Sequence, residues 1–231
     1  GHVTGVQTCA LPIFGAVVPP RADRWHSAPT PTLGGIAIAM ATTLAVLAAT
    51  VAVGQSIGGA TWVPILVAAL AMFVIGILDD RVQLSPLAKL VSSLIVGAFL
   101  VFWLTRRPDA SLPLGFTLLA TIWFAGVCHA LNLLDNMDGL AAGVALIAVV
   151  FLVGLLAPAS GPGLPLLLCA LGGALLGFLY WNRPPARLFM GDGGSLFIGA
   201  MLAGASMQPG MRGRDGFPWR SEEHTSEIQS R

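Results

Sequence analysis

Apolar runs of about twenty residues, the length a helix needs to cross a hydrocarbon core, recur along most of this chain, separated by short polar or Gly/Pro-rich breaks. Ile36 to Val53 is uncharged and rich in Ala, Val and Thr; Gly54 to Gly59 turns the chain, and Trp62 to Leu78 returns it to Asp79-Asp80-Arg81. Leu87 to Leu104 leaves again, Thr105 to Ser111 turns, and Leu112 to Leu131 leads into Asn132-Leu-Leu-Asp-Asn-Met-Asp-Gly-Leu140. From Gly139 to Asn182 there is no charge, a stretch too long for one helix and broken by Pro158-Ala-Ser-Gly-Pro-Gly-Leu-Pro165; it predicts a helical hairpin, Leu140 to Leu156 and Leu164 to Trp181. A last apolar run, Leu196 to Met207, is short. The expected fold is all-α, a polytopic transmembrane helix bundle of about six full spans plus truncated spans at both ends.

Composition agrees: 55% of residues are hydrophobic and 10% charged, and the mean hydropathy is +0.81, values that exclude an ordinary soluble domain. The net charge of +1 selects no partner, and nucleic acid is not expected. Cys9, Cys128 and Cys169 lack metal-ligand spacing, so neither a disulfide framework nor a zinc site is indicated. Residues 1–18 read as a truncated first span, because Cys9 to Val18 is too short to cross and no basic region precedes it as in a signal peptide. Val3 to Ile13 and Arg220 to Arg231 resemble translated sequencing-adapter reads, and the chain turns abruptly polar after Met211. The expected organisation is a leader over 1–18, an incomplete membrane domain over 19–210, and an artefactual or disordered tail over 211–231.

Charge placement is more informative than net charge. Between Arg24 and Met211 the acids are Asp79, Asp80, Asp109, Asp135, Asp138 and Asp192, and all but Asp109 fall in compact motifs. Two spans separate each motif from the next, so the His26 loop, the Asp79-Asp80 pair, the Asp135/Asp138 cluster and Gly191-Asp-Gly-Gly-Ser195 should emerge on one face. That face carries Arg21, Arg24, Arg81, Lys89, Arg183 and Arg187 against Arg106 and Arg107 opposite, which makes it cytoplasmic by the positive-inside rule. Ionisable groups at membrane depth are expensive and read by default as functional.

Each motif also has a plainer reading. Asn132, Asp135 and Asp138 share one broad side if their stretch is helical; the alternative is a helix N-terminus capped by Asp with Gly139 as the turn. Asp79-Asp80 ends a helix, where the macrodipole disfavours carboxylates and a cation is expected nearby; the alternative is a pair neutralised by Arg81. In Phe189-Met-Gly-Asp-Gly-Gly-Ser195 the glycines would let backbone N–H groups approach a phosphate while Asp192 holds a metal, though such a turn alone is weak. A lone His26 is ordinarily solvated, His129 reads as a hydrogen-bonded helix residue, and Gly173-Ala-Leu-Leu-Gly177 as helix packing.

In order and spacing, the motifs His26-Ser-Ala-Pro-Thr-Pro-Thr-Leu-Gly-Gly35, Gly76-Ile-Leu-Asp-Asp80, Leu84-Ser-Pro-Leu-Ala-Lys89, Asn132-Leu-Leu-Asp-Asn-Met-Asp-Gly-Leu-Ala141 and Asn182-Arg-Pro-Pro-Ala-Arg-Leu-Phe-Met-Gly-Asp-Gly-Gly-Ser195 resemble the polyprenyl-phosphate N-acetylhexosamine-1-phosphate transferases, over about Arg24 to Met207. The pattern is closer to the GlcNAc-type branch than to the muramyl-pentapeptide enzymes, whose loop after the aspartate pair is longer. The resemblance implies transfer of a sugar 1-phosphate from a UDP-sugar to polyprenyl phosphate at the plasma membrane, with Mg²⁺ (or Mn²⁺) as cofactor and a homodimer allowed. It implies Asp135 and Asp192 as metal ligands and Asp79, Asp80 and Asp138 as catalytic. Asn132, Lys89, Asn182, Phe189, His26 and Thr32 are implied to bind substrate, with Lys89 near the phosphates and Asn182 and Phe189 at the uracil.

The chain departs from the family where His129 replaces a usual Asn, and where the family continues past the Gly-Asp motif with further spans and a His-bearing loop. It therefore reads as an internal fragment, inactive alone. An ion- or proton-coupled transporter is the rival of another class and would place its carboxylates near mid-span. A CDP-alcohol phosphotransferase would need further acids after Asp138-Gly139, where none occurs until Asp192. A non-catalytic membrane scaffold is the third alternative.

Overall fold

A computed structural model of the chain describes residues 17–18, 30–54, 62–105, 113–158 and 161–211. Among these, a two-residue antiparallel pair, Val17–Val18 with Thr30–Pro31, precedes the helices α1 (Gly34–Ala52), α2 (Val63–Val82), α3 (Pro86–Thr105), α4 (Leu114–Leu134), α5 (Leu140–Leu156), α6 (Gly163–Asn182) and α7 (Gly191–Met211). Helices α1 to α4 and α6 are long and apolar enough to cross a membrane, and α5 is a shorter apolar helix. The chain is a multi-pass membrane protein. Its outer surface is correspondingly apolar, with Leu44, Ile95, Phe102, Leu119, Ile122 and Phe151 exposed.

The helices run further into the polar motifs than the apolar pattern predicts. Helix α2 continues through Asp79-Asp80-Arg81 and ends with Gln83 in the left-handed region, its N–H bonded to the Asp79 carbonyl. Helix α4 includes Asn132 but stops at Leu134, and the chain turns through Asp135 to Gly139, whose φ of 75° begins α5. Asn132, Asp135 and Asp138 therefore do not share a helix face; glycine's freedom at positive φ makes the break between two helices.

The largest correction concerns the last run. In place of a short segment, α7 is a 21-residue helix at the centre of the bundle, packed chiefly against α2 and α4 and also against α1 and α5. Leu196, Phe197, Ile198, Ala200, Met201, Ala203 and Ala205 are all buried. Small residues make this central place accessible, because helices approach closely only where side chains are short. A Cβ at Gly199 would stand 2.6 Å from Cys128 Cα on α4, and one at Gly204 would stand 2.8 Å from Ile65 Cγ2 on α2.

By contrast, Gly173 and Gly177 of the GxxxG spacing have no neighbour within 4 Å of a Cβ placed on them, whereas Gly172 meets Val149 Cγ1 of α5 at 3.3 Å. The inward stripe of α6 is Leu164, Leu167, Leu168, Leu171, Leu175 and Phe178, and one residue along a helix rotates a side chain by about 100°. Among the described residues that spacing is not a packing motif. His129 is tied across α3 and α4, with Nε2 3.1 Å from Ser93 Oγ, as a hydrogen-bonded helix residue should be.

Candidate functional site

Alternating helix directions bring the C-terminal ends of α2, α4 and α6 and the N-terminal ends of α1, α3, α5 and α7 to one face. Those of the predicted motifs that fall within the described residues lie there. Asp79 is buried at 5% exposure; its Oδ1 accepts from Leu84 N–H at 2.8 Å and its Oδ2 from Lys89 Nζ at 2.5 Å. The cation expected beside the pair is thus Lys89, one loop away. Arg81 makes no ion pair among the described residues.

Asp80, next in sequence, faces a different partner. Its two oxygens accept the backbone N–H groups of Asp192 at 3.1 Å and Gly193 at 3.3 Å, so it caps the first turn of α7, where unpaired amides and the helix dipole favour a carboxylate. These are the amides the glycine-rich turn was expected to offer a phosphate. The contact requires close approach: a Cβ at Gly76 would lie 2.5 Å from Asp192 O and from Gly193 N.

Asp192 sits in the first turn of α7. Asn132 Nδ2 donates to Asp192 Oδ1 and to Ser195 Oγ, each at 3.0 Å, and Lys89 Nζ lies 3.5 Å from Asp192 Oδ2. Lys89 therefore links two carboxylates, one almost inaccessible and one 34% exposed in its side chain. Ser195 carries no role in the sequence reading, and its only signal there is its place one helical turn after Asp192.

A second cluster joins the turn after α4 to the segment after α6. Asp138 Oδ2 accepts from Ala186 N–H at 2.9 Å, Asn182 Oδ1 from Gly139 N–H at 2.8 Å, and Asn182 Nδ2 donates to Leu188 O at 2.8 Å. Both faces of the Asn182 amide are thus engaged by backbone, and the residue is 4% exposed. Phe189 is half-buried. Its carbonyl and that of Met190 accept the N–H groups of Gly34 and Gly35, both at 2.9 Å, which docks the Thr32 segment against the same loop. Thr32 lines a pocket with Leu33, Phe73, Asp80, Arg81 and Met190.

Asp135 is half-buried at the α4 C-cap. No group of three or more His, Cys, Asp or Glu side chains among the described residues converges at metal-holding distance. His26 lies outside the described residues, as do 1–16 and 212–231, which carry most of the suspected adapter-like ends.

The model of glycosyl transferase family 4 matches residues 62–209. The chain is similar to a probable undecaprenyl-phosphate N-acetylglucosaminyl 1-phosphate transferase of Bacillus subtilis, at 34% identity over 86% of this chain and 56% of the relative. It is also similar to a decaprenyl-phosphate N-acetylglucosaminephosphotransferase of Mycolicibacterium smegmatis, at 35% over 84% of this chain and 53% of the relative. A phospho-N-acetylmuramoyl-pentapeptide-transferase of Picosynechococcus matches at 42% over 61% of this chain and 44% of the relative. The chain spans about half the length of the curated relatives it matches. The match runs from Trp62 to Pro209 and so takes in both carboxylate clusters and all but the last two residues of the central helix: this chain belongs to glycosyl transferase family 4.

Proposed function

We propose that the intact protein transfers an N-acetylhexosamine 1-phosphate, GlcNAc 1-phosphate first among the candidates, from a UDP-sugar to polyprenyl phosphate and releases UMP, on the cytoplasmic side of the plasma membrane. The observation that carries the reading is the Asp79–Lys89–Asp192–Asn132 constellation, assembled from four helices at one end of the bundle. The names of the relatives support the same class of transfer. GlcNAc is favoured by the short loop between Asp80 and Lys89. A coupled transporter gains nothing here, because the carboxylates lie at helix ends rather than at mid-span.

Oxygen donors of this kind fit Mg²⁺, which is commonly held by one or two carboxylates together with substrate phosphates and water. Asp192, the reachable carboxylate, and Asp135 would hold it, and when bound it would neutralise the phosphoryl oxygens. The remaining work falls to the chain. Lys89 places an ammonium beside the phosphates, and Asp80 fixes the α7 turn that presents Asp192. A phosphomonoester has a second pKa of about 6, so the lipid phosphate is already largely dianionic at neutral pH. Its oxygen attacks the sugar-bearing phosphorus, the bond to the bridging oxygen breaks, and UMP leaves with that oxygen. Asp79 is paired with Lys89 and Asp80 with two amides, so direct attack without a carboxylate base is the reading this arrangement favours, with an Asp79 or Asp80 base as the minor route.

The test is UMP release by the intact protein given UDP-GlcNAc, undecaprenyl phosphate and Mg²⁺. Asp135→Asn and Asp192→Asn should each abolish it. Retained activity in both variants would remove the metal assignment, and release only from UDP-MurNAc-pentapeptide would move the protein to the other branch.

A further inference from the structure

Lys89 reaches its place from the first turn of α3, and it meets carboxylates from two other helices. Asp79 is too buried to meet water or a metal freely, with a side-chain exposure of 4%. Asp192 is not: Asn132 holds one oxygen at 3.0 Å, and the other faces Lys89 Nζ at 3.5 Å. The oxygen of Asp192 that Asn132 does not hold is therefore the one that faces the lysine. Asp80 adds a third negative charge to the neighbourhood but spends both oxygens on α7 amides. Arg81, the other nearby cation, pairs with none of them among the described residues.

We propose that Lys89 is an internal counter-ion that competes with the divalent cation for Asp192, so that the metal binds weakly to the protein alone and firmly only when substrate phosphates draw the ammonium away. The inference rests on the assignment of Asp192 as metal ligand. Its physical basis is charge balance: an ammonium shared by Asp79 and Asp192 and a divalent ion on Asp192 repel each other in the same small space. The phosphates of an incoming substrate relieve that repulsion by giving Lys89 a new partner. Metal and nucleotide sugar then bind with positive coupling, and any coupling of this kind is reciprocal. Lys89 is in this sense a positioning residue for the metal as well as a contact for phosphate.

The measurement is Mn²⁺ binding to the purified full chain in lipid nanodiscs without nucleotide, followed by the paramagnetic resonance signal of free Mn²⁺. Lys89→Met should tighten binding by about fivefold or more, the factor corresponding to about 1 kcal/mol for a partly exposed ion pair. Arg81→Met, which removes a charge that makes no ion pair among the described residues, should change it by less than twofold. If Lys89→Met fails to fold because Asp79 loses its partner, Lys89→Gln keeps a donor for Asp79 without the charge and should tighten binding in the same direction. Unchanged or weaker binding in the folded Lys89 variant, or equal tightening by Arg81→Met, overturns the competition. Asp192→Asn separates the two levels: if it binds Mn²⁺ as the unaltered chain does, the metal assignment itself fails and the competition falls with it.

Discussion

Gly76→Ala is the substitution for which the structure makes the sharpest demand. A Cβ there would stand 2.5 Å from Asp192 O, Gly193 Cα and Gly193 N, all backbone of the central helix, with no flexible side chain to move aside. Ordinary contact begins near 3.4 Å, so α2 and α7 must part by about 1 Å at this crossing. Overpacking of this kind costs about 1–3 kcal/mol. The same displacement stretches the Asp80 bonds to Asp192 and Gly193 from 3.1 and 3.3 Å beyond hydrogen-bonding range, and about 1 kcal/mol is lost for each at an accessible carboxylate. The total is about 3–5 kcal/mol, or a fall of about 6–20 °C in the unfolding midpoint of a chain this size. Gly173→Ala and Gly177→Ala, where a Cβ meets nothing within 4 Å, should be neutral or gain about 0.5–1 kcal/mol in helix propensity. Thermal unfolding in one detergent, followed by tryptophan fluorescence, compares the three. A Gly76→Ala chain that melts with the unaltered one, or a Gly173→Ala or Gly177→Ala chain that melts well below it, would refute the placement of α7 at the centre and α6 at the rim.

Asp80→Asn turns an amide NH₂ towards one of two backbone N–H groups and removes the charge from the α7 N-terminus; unfolding should show a loss of about 1–2 kcal/mol. Asn182→Leu removes the acceptor for Gly139 N–H and the donor to Leu188 O together and should destabilise by about 2–4 kcal/mol, whereas a residue serving substrate alone would leave the melting curve unmoved. Ser93→Ala and His129→Phe should each cost about 0.5–1.5 kcal/mol, and a double-mutant cycle on the pair should return a coupling near 0.6 kcal/mol, about the average for hydrogen bonds inside membrane proteins. Strict additivity there would exclude the Ser93–His129 bond.

Most of the topology was legible because a membrane restricts what a chain can do: apolar runs of fixed length must be helices, and motifs spaced by two such runs must share a face. That Asp79, Lys89, Asn132 and Asp192 lie on one face follows from that count alone. The central helix was harder to read. An interior helix among helices carries small residues rather than an unbroken apolar run, so Gly191 to Met211 looked shorter and weaker than it is. Hydropathy reports what lipid would accept, and α7 has little contact with lipid. The GxxxG spacing misled for the complementary reason: small residues permit close approach, but nothing in α6 alone says whether another helix comes to that side. The partner of each carboxylate was also beyond the pattern, since spacing places residues on a face without choosing among oxygens a few ångströms apart.

That choice is what separates the adjacent aspartates. Residues 79 and 80 follow one another on a helix, so their side chains leave the axis about 100° apart, and the two carboxylates cannot serve the same partner. One direction leads to Lys89 and the Leu84 amide, the other to the first turn of α7. Asp79 holds the cation and Asp80 holds the helix that carries Asp192, and both operate on the same distance, the 3.5 Å between Lys89 and Asp192. Moving either aspartate's partner changes that distance from one side. Two neighbouring acids can then be equally indispensable without sharing a chemical role, and loss of activity on replacing either does not mean that either touches the transferred phosphoryl group. Lys89 faces Oδ2 of Asp79 and Oδ2 of Asp192 at once; of the two, Asp192 is the more exposed, and under the proposed reading a substrate phosphate or a metal would have to displace the ammonium to reach it.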